Sequence, residues 1–93
     1  DEVNDGVADS TSWLAITAPF YCYKVIIQNR SATIGLKLRR DSTRAASEIT
    51  LEPYEVKIIG ATGSAAARFK SGDTICAFQS VSGSVAFNVT YER

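Results

Sequence analysis

Two kinds of side chain here could do chemistry, a scatter of carboxylates and an abundance of hydroxyls. Within residues 13–93 the carboxylates are Asp41, Glu48, Glu52, Glu55, Asp73 and Glu92. Two of them face to face would suit glycoside hydrolysis, one as acid and the other as nucleophile or base. Their placement argues against it. They fall at strand ends and outward positions, where solvation and turn formation account for them. The hydroxyls lack a base, since the 93 residues include no histidine, the usual group that titrates near neutral pH. No serine stands in a nucleophile-elbow context. The segment GATGS has neither the lysine nor the following helix of a phosphate loop. The expectation is a protein that is not an enzyme and holds no cofactor.

Metal chemistry fares no better. DEVNDG matches a calcium loop at Asp1, Asp5 and Gly6, but Val3 stands at a ligand position and Ser12 where the bidentate glutamate belongs. Cys22 and Cys76 are 54 positions apart, which is not a metal spacing. Both lie in predicted strands. They are either a disulfide, if those strands are neighbours, or buried free thiols acting as small hydrophobes.

What remains is recognition. Arg39, Arg40, Asp41 and Arg44 form a polar cluster that Arg68 and Lys70 could join from another loop. It is either a solvated face or a patch that grips an acidic partner. Residues 1–12 carry Asp1, Glu2, Asp5 and Asp9 with no base, a net of −4, and the rest carries +4. This segment reads as an acidic N-terminal arm, either mobile in solvent or docked on the basic patch of a sister subunit. Nucleic acid is disfavoured, because the net charge is zero and no aromatic–basic interleaving marks a stacking platform. Trp13 is the best single candidate for stacking on a sugar, against the plainer role of an anchor beside the arm. Asn29-Arg30-Ser31 and Asn88-Val89-Thr90 match the glycosylation pattern, and ordinary polar positions explain them equally well.

The elements that must position these residues are strands. Residues 85–92 alternate, with Val85, Phe87, Val89 and Tyr91 on one side. Residues 20–29 are aromatic and β-branched and read as a central strand. Further strands are expected at 13–17, 34–39, 48–52, 54–59 and 74–81. Their inward residues are read as Ile34, Leu36, Leu38, Ile49, Leu51, Tyr54, Val56, Ile58, Ile75, Ala77 and Val81. Turn signals recur every 8–12 residues, and no 3.6-residue amphipathic pattern of helical length appears. The pattern predicts an all-β fold, a small antiparallel sandwich of six to eight strands, jelly-roll or Ig-like. It divides into an arm at 1–12 and a single domain at 13–93. No run approaches the roughly 20 apolar residues of a membrane helix. The chain opens on Asp1 and contains no Met, which leaves room for a processed leader. A final strand built into the sheet would leave recruitment to the arm and loops.

The succession VIIQNRSATIGLKLRRDS, ITLEPYEVKII, RFKSGDTICAFQSVSGSVAFNVTYE resembles small all-β surface proteins of tailed bacteriophages over residues 24–92. The shared features are an Asn-containing turn, a Leu-x-Leu-Arg strand, an acidic-Pro bend, a Phe-x-x-Gly-Asp-Thr turn and a final hairpin. The resemblance implies a head-decoration (cement) or fibre-tip protein at the virion surface, working as a homo-oligomer bound to capsid or other structural proteins. The different class to weigh against it is a secreted carbohydrate- or receptor-binding module using Trp13, exposed tyrosines and the 39–44 loop.

Overall fold

The computed structural model describes residues 2–60 and 69–93. Eight strands run in chain order: β1 (Glu2–Ala8), β2 (Leu14–Thr17), β3 (Lys24–Asn29), β4 (Leu36–Arg39), β5 (Ile49–Leu51), β6 (Val56–Gly60), β7 (Thr74–Ser80) and β8 (Val85–Glu92). One 3₁₀ turn at Ala45–Ser47 interrupts them. They form two four-stranded antiparallel sheets, sheet A in the order β1-β8-β3-β6 and sheet B in the order β2-β7-β4-β5. The pairs β1/β8, β2/β7, β3/β6 and β4/β5 are antiparallel ribbons. The ribbons join edge to edge through β3/β8 and β4/β7. Of the two expected architectures, this strand order is the jelly roll.

The core lies between the sheets. Val25 and Ile27 of β3, Leu36 and Leu38 of β4, and Val85, Phe87, Val89 and Tyr91 of β8 are all buried. Each full burial of such a side chain stabilises the fold by about 1.5–3 kcal/mol. Phe78 of sheet B meets Phe87 of sheet A edge to face, with centroids 4.7 Å apart. Among the described residues, Asn29 is the largest buried polar side chain. Its amide donates to the carbonyls of Ile34 at 2.9 Å and Leu51 at 3.0 Å. Its oxygen accepts from the Ser31 N–H at 2.9 Å. One side chain at the end of β3 thus ties sheet A to sheet B, and its burial with a fully engaged amide leaves no acceptor for a glycan in the folded protein.

Three expectations are corrected. Most of the expected arm is β1, an edge strand paired residue by residue from Glu2↔Tyr91 to Ala8↔Val85. It forms because Gly6 and Ala8 are small enough to close over the buried face of β8 while the charged positions stay in water. In β6 the phase is opposite to that read from the alternation. Ile59 opposes Val25 and Lys57 opposes Ile27 on the inner side, so Val56 and Ile58 point outward. Tyr54, just before the strand, is also exposed. The bend at Pro53-Tyr54, where Tyr54 takes φ 62°, resets the register, and a one-residue slip flips every side chain. In β7, Cys76, Phe78 and Ser80 oppose Ile16, Leu38 and Leu36 on the inner side. Ile75 sits where the β2/β7 register shifts and is buried there. Ala77 opposes Arg39, and Val81 is exposed. Ile49 does share a face with Leu38, but on an edge strand it remains 40% exposed.

Candidate interaction surfaces

On the outer face of sheet B, β4 presents Lys37 and Arg39. The indole of Trp13 packs on them, with the Arg39 guanidinium 4.3 Å and the Lys37 ammonium 5.7 Å from the ring centroid. Arg39 is held further by Glu48, at 2.9 Å through Nε and 2.8 Å through its terminal nitrogen. It also donates to the Ser42 carbonyl at 3.1 Å. Arg39 therefore pins the 40–47 loop to the sheet, and Trp13 packs against both cations.

The loop itself is tied by local bonds. Asp41 accepts from the Thr43 hydroxyl and N–H and pairs with Arg44 at 3.0 Å. These bonds, the Thr43 hydroxyl first, hold its carboxyl below the ordinary range. Arg40 is exposed and lines, with Leu38, Ile49, Lys57, Ile59 and Phe69, a cleft of about 570 Å³. Lys70 closes a tight turn, its N–H donating to Asp73 at 2.8 Å. Asp1 and Arg68 lie outside the described residues. The described acidic residues of segment 1–12 sit in separate places. Glu2 and Asp5 alternate along β1. Asp9 instead caps the turn after that strand, accepting from the N–H groups of Thr11 and Ser12 at 2.9 and 3.0 Å. These bonds, Thr11 first, lower its pKa.

Cys22 and Cys76 are both buried free thiols, not a disulfide. Burial pushes the Cys76 thiol up to about 12 and raises Cys22 as well. Among the described residues no group of three or more His, Cys, Asp and Glu is placed to hold a metal ion, and no helix is long and apolar enough to cross a membrane.

The outer face of sheet A differs in kind. Nine large apolar side chains are exposed among the described residues, and Val3, Val7, Val56 and Ile58 share this face at 48–61% exposure. The registers set them in rows. Val3, Thr90, Ile26 and Ile58 form one row across all four strands. Asp5, Asn88, Gln28 and Val56 form the next. On the other side of the first row, Glu92 and Lys24 stand opposite each other on the two central strands. Reading β1 as an arm and β6 in the opposite phase hides this surface from the sequence. The signal available was Val3 and Val7 on one side of β1, and Val56 and Ile58 on one side of β6.

No family model, no curated protein and no solved structure matches the chain.

Proposed function

We propose that this chain is a non-enzymatic structural subunit of a virion, a decoration or cement protein that binds shell proteins and sister subunits. The observation that carries the reading is the apolar row across sheet A. Isolated exposed aliphatics are ordinary on a protein surface, but several on one sheet face mark an interaction site. Two further features support it. The jelly roll recurs in viral capsid domains, an argument by analogy of fold. The sequence resemblance to phage surface proteins points the same way. The mechanism is mechanical. Many modest contacts across a buried face add to the shell's resistance to rupture.

The jelly roll also recurs in lectins, so carbohydrate binding is the competing outcome. The test mixes the purified protein with shells assembled from the structural proteins encoded beside it. Saturable, stoichiometric binding is expected. No binding to shells together with hits on a glycan array would move the assignment to a sugar- or receptor-binding module.

A further inference from the structure

We propose that the partner of the outer face of sheet A is a second copy of the same chain, packed face to face about a two-fold axis. The axis runs along the strands, midway between β8 and β3. This rests on reading that face as a contact surface, but the choice of occupant has its own support, because the two central strands of the face are complementary to themselves under that one operation.

Rotation about this axis lays β1 over the second copy's β6 and β8 over its β3. In the first row, Val3 then meets the second copy's Ile58, and Thr90 meets its Ile26. In the second, Asn88 meets Gln28, amide to amide, and at the two outer edges Asp5 lies over the second copy's Val56, a carboxylate against an apolar side chain where water still reaches it. Glu92 and Lys24 flank the axis in one row, so each carboxylate meets the other copy's ammonium, twice by symmetry. Like charges would face one another if Lys24 and Glu92 were not paired across that line. Two sheets packed about 10 Å apart with their strands near parallel keep the central contacts together, and the twist of each sheet lifts the corners apart.

The size is adequate for a weak but specific dimer. Four strands about 4.8 Å apart and about seven residues long at 3.4 Å per residue make a face of roughly 450 Å². Two such faces bring together about 900 Å², the size of a weak, transient interface. Sheet B offers no equivalent face, since Trp13, Lys37, Arg39 and Glu48 already cover it with contacts inside one chain.

Sedimentation velocity of the intact protein up to several hundred micromolar tests the proposal. A dimer of twice 10.0 kDa is expected. Ile58→Glu should weaken it by at least about a hundred-fold, because the symmetry places the unpaired charge in the interface twice. At concentrations where both proteins are monomeric, its circular dichroism and melting should not change, since Ile58 is 51% exposed. Thr50→Glu on sheet B should leave the dimer intact. The double variant Val3→Cys/Ile58→Cys should oxidise to a closed dimer with two cross-links.

A monomer at every concentration overturns the proposal, as does a dimer indifferent to Ile58→Glu. So does a ladder of higher oligomers on oxidation, which would mean that β1 pairs edge to edge with the next copy's β6. A monomer that still binds shells through this face overturns the dimer and leaves the structural role standing. A dimer that binds no shell does the reverse.

Discussion

The ring of Phe87 lies where a side chain on Gly6 would begin. A Cβ built on Gly6 would sit 2.5 Å from Phe87 Cζ and 3.0 Å from Cε1. Glycine at this point of β1 lets the ring pass beneath the edge strand and reach Phe78 of the other sheet. Gly6→Ala must push the ring aside in a packed core, at a cost of about 1–3 kcal/mol. Gly6→Val should cost more. A lower midpoint in urea is the readout, and an unchanged midpoint would mean that β1 is not seated on β8.

Asn29 offers a second test. Asn29→Ala removes one side chain and strands the carbonyls of Ile34 and Leu51, at about 1–3 kcal/mol for each buried group left unsatisfied. Asn29→Asp should be worse, because a carboxylate would face carbonyl oxygens where an amide now donates. Equilibrium unfolding of both variants gives the comparison, and Asp more stable than Ala would contradict the bond pattern.

The thiols should be silent. Cys22 and Cys76 are fully buried, and only the thiolate reacts quickly. A disulfide-exchange reagent at pH 8 should titrate no thiol in the native protein and both in denaturant. Rapid labelling of the native form would show that the region around Cys22 opens.

Stability should fall at both ends of the pH scale. Asp9 and Asp41 have folded pKa values below their ordinary 3.8. Their contribution is complete above that value and is lost as pH drops through the lower folded ones. Cys76 is raised from 9.0 to about 12, and Tyr91 is raised above 10.0, each chiefly by burial. The folded form therefore holds those protons more tightly than the unfolded form. Stability is kept below pH 9 and lost as pH climbs past it. A melting-temperature profile that is flat from pH 9 to 11 would contradict the burial of Cys76.

Alternation made the fold class readable. In β8 and β4 the buried residues follow period two without exception, because each strand has one wet and one dry side. The reading failed where that condition fails. In β7 residues 75–78 are all buried, so apolarity carries no phase. In β6 the edge position exposes even the inward-facing Lys57, and the phase turns on the backbone of Tyr54, which no alternation records. In β1 the charges of Glu2 and Asp5 read as an arm because an edge strand buries so little of itself. The apolar row on sheet A was illegible for a further reason. It is assembled from four strands, and only their registers bring Val3, Ile26 and Ile58 into line.

β8 is hydrogen-bonded to β1 on one side and to β3 on the other, and it follows both in the chain. On the ribosome, β1 has no neighbour until residues 85–92 emerge, and β3 has at most β6. Half of the sandwich therefore has no stable shorter version of itself. The protein should fold only after translation has passed β8, in one cooperative step. A nonsense mutation anywhere before residue 85 should leave not a smaller domain but a substrate for proteases.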